Sequence, residues 1–342
     1  MKENPSQDPL QPSKTEPLIV ADGSESWEAQ IEKLTQAIEE CATFSEELYH
    51  RLATAYYLLK QYPECLASCD KIIELSQDAA HVADAYLWKG RVAMEEQEYQ
   101  LAIEHYLACL EQTPANTTAI AELGQCYQEV NDWENTLNAY QKLHVMEGCK
   151  HWACSLLGQL FFQQSAFDLA HKYFEDALAE PGFWSTYCYH GLGRIYAEKQ
   201  EYETAIGYFK QTLEISPKDA DSHYCLGLTY QRLNDFYRAM HHYTQALETY
   251  AEFSEIYNNM AVLYQQEGDY RAAIQQMEKA LAFSYDDNQK GFHYLNLIKL
   301  HKSLLEYDRV DYYKTELSNL LGVDILEESD DDDNEDNEEY PE

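Results

Sequence analysis

Residues 189–217 decide the fold of this chain, and they read YHGLGRIYAEKQEYETAIGYFKQTLEISP. In this stretch the small residue Gly193 is followed nine positions later by Tyr202, and the small residue Ala205 comes three positions after that. Apolar residues recur with helical spacing on both sides of a short polar break. The stretch therefore predicts two amphipathic helices joined by a tight turn.

The same spacing recurs along most of the chain. The small residues at the position of Gly193 are Ala53, Gly90, Gly124, Gly158, Gly193, Gly227 and Ala261, and the steps between them are 37, 34, 34, 35, 34 and 34 residues. One helical pair cannot bury both of its apolar faces, so neighbouring pairs must stack on it. The repeats therefore predict an all-α protein, an α-solenoid of stacked helical hairpins.

This pattern resembles the tetratricopeptide repeat, a unit of 34 residues with Leu-Gly, Tyr, Ala, an aromatic residue and Pro in a fixed order. The closest agreement is at Leu192, Gly193, Tyr196, Tyr202, Ala205, Phe209, Leu213 and Pro217. The resemblance implies a right-handed superhelix of helix-turn-helix units. It also implies that the first helix of each unit lines a concave groove that holds an extended peptide or a partner helix.

The resemblance covers about residues 25–322. We expect a lone capping helix at about 25–43, full repeats that start near 46, 83, 117, 151, 186, 220 and 254, and a diverged repeat at about 291–322. Residues 1–24 are polar and contain Pro, and residues 327–342 carry eleven acidic residues and no basic one. We expect both segments to be disordered tails.

Composition limits the classes of partner. The chain has 342 residues, with 24 Lys and Arg against 61 Asp and Glu, which gives a formal net charge of −37. Binding to nucleic acid or to an anionic membrane needs a basic face, so neither is expected. No apolar run is long enough for a signal peptide or a membrane span, and nine scattered cysteines are typical of reduced thiols. We expect a cytoplasmic protein without membrane insertion.

The chain lacks the motifs that enzymes use. Gly191 and Gly193 have no third glycine at the dinucleotide-binding spacing, and we find no phosphate-binding loop, zinc-protease motif or nucleophile elbow. A possible metal set, His144, Cys149, His151 and Cys154, has no Cys-x2-Cys pair, and burial without metal is the favoured interpretation. We therefore expect neither catalysis nor a cofactor or metal.

The resemblance identifies candidate residues for binding a partner in the groove. They are Arg51, Tyr57, Trp88, Arg91, Gln125, Gln128, Trp152, Phe162, Tyr187, Arg194, Tyr224, Gln231, Asn258 and Asn259. Trp, Tyr and Arg dominate the energetics of protein interfaces, and Asn and Gln can bond a peptide backbone in either direction. Any single aromatic residue in this set could instead pack between repeats.

Two subtypes of the family do not fit. The chaperone-binding domains have a carboxylate clamp of two Lys, two Asn and one Arg, whereas the corresponding positions here are His50, Thr54, Trp88, Thr118 and Glu122. The arms of O-linked N-acetylglucosamine transferases carry an Asn in nearly every repeat. Only Asn259 agrees with that ladder, and the equivalent positions in the other repeats hold Arg51, Trp88, Glu122, Leu156, Gly191 and Cys225.

The sequence thus predicts a non-catalytic scaffold or adaptor that binds a protein or peptide, and the net charge of −37 favours a basic partner. One alternative is a chaperone or assembly factor for a basic or aggregation-prone client, similar in action to type III secretion chaperones. A second is a recognition arm for a separate modifying enzyme, such as an O-linked N-acetylglucosamine transferase. A third, an acidic partner of histones or ribosomal proteins, depends on the tail at 327–342. The oligomeric state stays open.

Overall fold

The computed structural model describes residues 26–40, 45–180 and 182–323. These residues form seventeen α-helices and no strand, which confirms the predicted all-α fold. The segments expected to be tails, 1–24 and 327–342, lie outside the described residues.

A single helix, α1 (Trp27–Glu40), precedes eight helical hairpins. Their first helices are α2 (Glu46–Leu58), α4 (Ala79–Glu95), α6 (Thr117–Glu129), α8 (Lys150–Gln163), α10 (Ser185–Glu198), α12 (Ala220–Arg232), α14 (Ser254–Gln266) and α16 (Asp287–Ser303). Their second helices are α3 (Tyr62–Leu75), α5 (Tyr99–Gln112), α7 (Trp133–His144), α9 (Phe167–Leu178), α11 (Tyr202–Ile215), α13 (Phe236–Leu247), α15 (Tyr270–Ala282) and α17 (Tyr307–Leu321).

Two first helices begin one turn before the repeat starts expected near 83 and 291. Helix α4 begins at Ala79 because the carboxylate of Asp78 accepts a hydrogen bond from the backbone of Ala80 at 2.8 Å. Helix α16 begins at Asp287, and Asp286 caps it in the same way. An N-terminal cap satisfies backbone N–H groups that have no partner within the helix, so it extends the helix beyond the repeat motif.

The chain divides into two compact units, unit 1 up to Gly191 and unit 2 from Leu192, and the division falls within α10. In each unit the hairpins pack in chain order, so that the second helix of one hairpin contacts the first helix of the next. The cores are built mostly from Ala, Leu, Ile, Cys and buried aromatic residues. Each unit is therefore a stack of hairpins, as expected of an α-solenoid.

The glycine of the first helix is required by an aromatic residue of the second. A Cβ atom built on Gly193 would lie 2.6 Å from the ring of Phe209, and one built on Gly158 would lie 2.6 Å from Phe174. Both phenylalanine rings are fully buried and have no room to move. The small residue at this position thus sets how closely the two helices of a hairpin approach.

The turn within each hairpin also has a fixed geometry. One residue per turn has a positive φ, close to 60° in most hairpins, and these residues are Lys60, Gln97, Asn131, Ser165, Gln200, Asn234, Gly268 and Leu305. Only one of them is glycine, although this backbone region is unfavourable for residues that have a Cβ atom. The repeat therefore imposes the turn even where the local residue disfavours it.

Candidate protein-binding surfaces

All fourteen residues proposed for the groove lie on first helices. In unit 1 they are Arg51 and Tyr57 on α2, Trp88 and Arg91 on α4, Gln125 and Gln128 on α6, Trp152 and Phe162 on α8, and Tyr187 on α10. In unit 2 they are Arg194 on α10, Tyr224 and Gln231 on α12, and Asn258 and Asn259 on α14. We call the surface formed by these helices in each unit its first-helix face.

Arg91 forms a buried ion pair with Glu122, which is not one of the fourteen groove candidates. Its Nε and Nη2 atoms donate to the Glu122 carboxylate at 2.9–3.2 Å, and the two side chains are only 14% and 6% exposed. The guanidinium group also lies 4.7 Å from the centre of the Trp88 ring. Arg91 therefore joins α4 to α6, and its contact with a partner stays a prediction.

The buried Glu122 carboxylate affects the nearby phenol of Tyr106. Burial, followed by the negative charge of Glu122, raises the pKa of Tyr106 well above its usual value. Tyr106 is the ring that packs against Gly90. Glu122 of α6 therefore acts on the ring that packs against Gly90 in the preceding hairpin, α4/α5.

Tyr57 belongs to an aromatic cluster in the first hairpins of unit 1. Its ring centre lies 5.1 Å from that of the buried Trp88 and 6.1 Å from that of Tyr62. The hydroxyl groups of Tyr57 and Tyr62 both donate to the exposed carboxylate of Glu95, at 3.4 and 3.5 Å. The cluster combines aromatic rings with an accessible negative charge, a combination that suits a cationic side chain. Arg51 is exposed on the same helix as Tyr57.

Both polar atoms of the Gln128 side chain form hydrogen bonds with other residues of the protein. Its Nε2 donates to Gln163 at 2.7 Å, and its Oε1 accepts from the Tyr140 hydroxyl at 3.4 Å. Gln128 and Gln163 also line an open polar cavity of about 310 Å³ together with Glu129, Asn131 and Trp133. Gln125, one turn earlier on α6, is half-buried.

The remaining aromatic candidates of unit 1 pack against other rings. Trp152 is 5.9 Å from Phe183, Phe162 is 5.6 Å from Phe167, and Tyr187 is 6.4 Å from Phe174. Each is only partly buried, so part of its surface also faces solvent. These three residues therefore have a packing role, and a binding role remains a prediction.

Unit 2 has a hydrogen-bonded group on its first-helix face. The Tyr224 hydroxyl donates to Glu255 at 2.6 Å and accepts from Nδ2 of Asn259 at 3.3 Å. Burial, followed by the hydrogen bond to the Glu255 carboxylate, raises the pKa of Tyr224. The Oδ1 atom of the neighbouring Asn258 is buried without a hydrogen-bond partner. Gln231 accepts from the Tyr243 hydroxyl at 2.6 Å, and Arg194 is exposed.

The middle of unit 1 is strongly acidic. Residues 92–141 contain no Lys or Arg and nine Asp and Glu residues. They include Glu95 and Glu129, which are both exposed at the C-terminal ends of first helices. The negative end of the helix dipole adds to these charges. This part of the surface should therefore attract cations.

Two of the four residues in the possible metal set, His151 and Cys154, have other surroundings that account for them. Nδ1 of His151 lies 2.7 Å from the Asp176 carbonyl oxygen, and its Nε2 lies 3.4 Å from Glu180. Burial raises the pKa of the Cys154 thiol to about 11, so this thiol is protonated at neutral pH and packs as a small apolar side chain. Among the described residues, no group of three or more His, Cys, Asp or Glu is placed to hold a metal ion.

None of the helices in the described part of the chain combines the length and the apolar character needed to cross a bilayer. The longest, α4 and α16, have 17 residues each and carry several charged side chains.

Comparison with protein families identifies the repeat. Models of the tetratricopeptide repeat match residues 83–116, 220–253 and 242–275, and a model of the TPR repeat matches residues 193–234. The matches at 83–116 and 220–253 cover most of the hairpin α4/α5 and all of α12/α13. The match at 193–234 runs from within α10 through α12, and the match at 242–275 runs from within α13 into α15.

Similarity to individual proteins is weaker. The chain is 26% identical over 197 residues to the BBSome complex member BBS4 homolog of Drosophila melanogaster, which covers 54% of this chain and 39% of that protein. The chain thus spans about two-fifths of that relative's length. The crystal structure of the APC/C hetero-tetramer Cut9-Hcn1 matches with a TM-score of 0.61 and 16% identity, over 80% of this chain and 52% of that one.

A structure of an IFIT1 monomeric mutant with Gppp-AAAA matches with a TM-score of 0.58 and 16% identity, over 87% of this chain and 75% of that one. At this level of identity, the structural likenesses establish the fold alone.

Proposed function

Because the chain is a tetratricopeptide-repeat protein, we propose that it is a non-catalytic scaffold that binds a peptide or a partner segment on its first-helix faces. Proteins with this repeat bind other proteins, and the BBS4 relative is named as a member of a complex. The observation that carries the proposal is that every candidate residue lies on a first helix, with Arg51, Gln125 and Arg194 among those partly or fully exposed.

The side chains on these faces suit a peptide ligand. Gln125 is half-buried, so it can form two hydrogen bonds with a peptide backbone while it is partly shielded from water. Trp152 and Phe162 have exposed ring surface beside it along the stack, which can cover an apolar side chain. A surface of this kind binds by positioning groups, and it needs no bond-making chemistry.

A matched set of variants tests the proposal. Arg51→Ala and Gln125→Ala remove groups from the first-helix face of unit 1, whereas Lys172→Ala and Glu104→Ala remove exposed groups from the second helices α9 and α5. A partner isolated with the wild-type chain should lose about tenfold or more in affinity for the first pair and little for the second. Equal affinity for all four variants would count against binding on this face.

A second candidate function is that of a chaperone or assembly factor for a basic client. The stretch 92–141, with nine acidic residues and no Lys or Arg, favours it. Such a client should bind in a one-to-one complex whose affinity falls steeply with salt, since charges are screened over about 8 Å at physiological ionic strength. Binding of an Arg-rich peptide to the chain, measured calorimetrically at low and high salt, tests this. Affinity that does not change with salt would exclude the electrostatic mechanism.

A further inference from the structure

Helix α16, the first helix of the last hairpin, has an exposed stripe along one side. The stripe consists of Phe292, Leu295, Lys299 and Lys302, which follow one another at steps of three, four and three residues and so lie on one face of the helix. All four are exposed, and Phe292 and Leu295 are 52% and 48% exposed. We call this surface the α16 stripe. Its first half is apolar and its second half is basic.

The charge of this region is opposite to that of the chain as a whole. Residues 288–305 contain three Lys and no Asp or Glu, in a chain with a net charge of −37. Neither Lys299 nor Lys302 forms an ion pair with any residue that the structure describes. Glu306, the nearest acidic residue along the chain, binds the ring of His301 at 2.7 Å. The two lysines of the stripe are therefore available to an acidic group from elsewhere.

The chain leaves α17 beside the apolar half of the stripe. A Cβ atom built on Gly291 would lie 3.7 Å from Leu317 and 3.8 Å from Leu320, so the last turn of α17 packs next to the residue that precedes Phe292. Gly322 has a φ of 67°, a conformation that ends a helix. The segment that follows thus starts at the Gly291 end of α16.

The sequence of that segment, residues 324–342, complements the stripe in the same order. Ile325 and Leu326 are apolar and come first, and residues 327–342 then carry eleven acidic residues and no basic one. The apolar half of the stripe likewise lies nearer to the end of α17 than the basic half. The segment can therefore match both halves when it runs along α16 in one direction.

The segment is also long enough to do so. Ten residues separate Phe292 and Lys302, which is about 15 Å along a helix, whereas nineteen extended residues span about 60 Å. Single ion pairs at exposed lysines contribute only about 0–1 kcal/mol. A segment that is tethered to its site, however, acts at an effective concentration in the millimolar range, so a weak intrinsic affinity is enough to keep it bound.

We propose that residues 324–342 bind the α16 stripe of the same chain, with their apolar pair on its apolar half and their acidic residues on its two lysines. Leu295 and Lys302 have the positions in the repeat that the groove candidates Tyr224 and Gln231 have in α12. The bound segment therefore lies where a partner would bind, and it competes with that partner. The binding itself involves no partner, so it does not depend on the proposed function.

The test uses the full chain labelled with ¹⁵N, and it follows the backbone amide signals of residues 327–339. The variant Lys299→Gln/Lys302→Gln removes two charges from exposed helical positions, and glutamine keeps the helix propensity. We expect it to shift these signals. Raising the salt concentration to about 0.5 M should shift the wild-type signals in the same direction, because salt screens the ion pairs.

A matched control is Lys210→Gln/Lys218→Gln, which removes two charges from exposed lysines elsewhere in unit 2. It should leave the signals of residues 327–339 as they are in the wild type. The proposal is overturned if these signals are the same in the wild type and in Lys299→Gln/Lys302→Gln, or if the control shifts them equally.

A dilution series identifies the occupant of the stripe. Binding within one chain does not depend on concentration, so the wild-type signals should be the same over a tenfold dilution. Signals that move towards those of Lys299→Gln/Lys302→Gln on dilution would show that the segment binds a second copy, and the proposal would be wrong.

A synthetic peptide of residues 324–342 then tests the apolar half. The variant Ile325→Ser/Leu326→Ser weakens the attachment of the chain's own segment, so the full-length variant should bind the added peptide about threefold or more tightly than the wild type does. Equal affinity for the two chains would contradict the proposed role of the apolar pair.

Discussion

The Nδ1 atoms of His223 and His242 lie 3.0 Å apart, between α12 and α13. Nε2 of His223 is 3.2 Å from the Pro217 carbonyl oxygen, which can only accept a hydrogen bond, so this nitrogen holds a proton. In the neutral form, Nδ1 of His223 must then accept, and Nδ1 of His242 donates to it. This hydrogen bond joins α12 to α13.

This pair should make unit 2 less stable in acid. Burial, then the nearby positive charges of His223, His241 and Lys210, lowers the pKa of His242 to about 4. An unfolded histidine titrates near 6.5, so between about pH 6.5 and 4 the unfolded chain binds more protons than the native one. We therefore expect the urea midpoint of unfolding to be lower at pH 5 than at pH 7. His242 should cost no stability above about pH 6.5, where it is neutral in both the folded and the unfolded chain.

The variant His242→Tyr isolates this contribution, because a tyrosine ring stands at the same position in α11, as Tyr208. Its urea midpoint should fall less than the wild-type midpoint between pH 7 and pH 5. The exposed neighbour His241 provides the control, and His241→Gln should keep most of the acid sensitivity. Equal losses in the wild type and in His242→Tyr would show that other groups cause the effect.

Removing only one partner of the Arg91–Glu122 ion pair should destabilise the protein strongly. Arg91→Met leaves the Glu122 carboxylate buried without its partner, and we expect a loss of about 3 kcal/mol or more in the free energy of unfolding. The double variant Arg91→Met/Glu122→Met buries no charge and should recover much of this loss. Chemical denaturation of the wild type, both single variants and the double variant measures the coupling; additive losses would contradict it.

Substitution by alanine should have opposite effects on stability at two glycines of one hairpin, Gly193 and Gly207. A Cβ atom on Gly193 of α10 would collide with the buried Phe209, so Gly193→Ala should destabilise by about 1–3 kcal/mol. A Cβ atom on Gly207 of α11 would meet nothing within 4 Å, so Gly207→Ala should stabilise by up to about 1 kcal/mol through helix propensity. Thermal unfolding measures both, and the same sign for the two variants would contradict the packing argument.

The hairpin turns allow a similar comparison. Leu305 has a φ of 57°, which strains its backbone, and its side chain is 70% exposed, so it contributes little to the core. Leu305→Gly should raise the free energy of unfolding by about 1 kcal/mol. At the same position of the preceding hairpin, Gly268 has a φ of 78°, and Gly268→Ala should lower it by a similar amount. A melting temperature that falls for Leu305→Gly would show that leucine contributes more than its backbone costs.

The repeat in the sequence predicted the helices and the faces they bury. Gly193, Tyr202 and Ala205 mark the close approach and the turn of one hairpin, and the same spacing placed the other hairpins. Helical geometry is local, so the spacing of apolar residues is enough to indicate which side of each helix is buried. For the same reason, the fourteen groove candidates were all placed on first helices.

The partners of those candidates could not be predicted from spacing. Nothing in the sequence near Arg91 indicates that Glu122, 31 residues later, would bind it, or that Tyr224 would donate to Glu255. A comparison of opposite charges between successive repeats could have suggested the first pair. Such contacts depend on how neighbouring hairpins are turned against each other, and hydrogen bonds require that geometry to within a few tenths of an ångström.

By itself, then, the sequence determined the repeat, the all-α fold and an acidic surface, because these follow from local periodicity and from the sum of charges. The tertiary structure alone decided which polar side chains bond to other residues of the protein. Arg91 and Glu122 are ordinary charged residues of two helices in the sequence, and they form a buried ion pair only because the packing of α4 and α6 brings them within 2.9 Å of each other. Such contacts between helices depend on how neighbouring hairpins pack, and no single repeat unit encodes them.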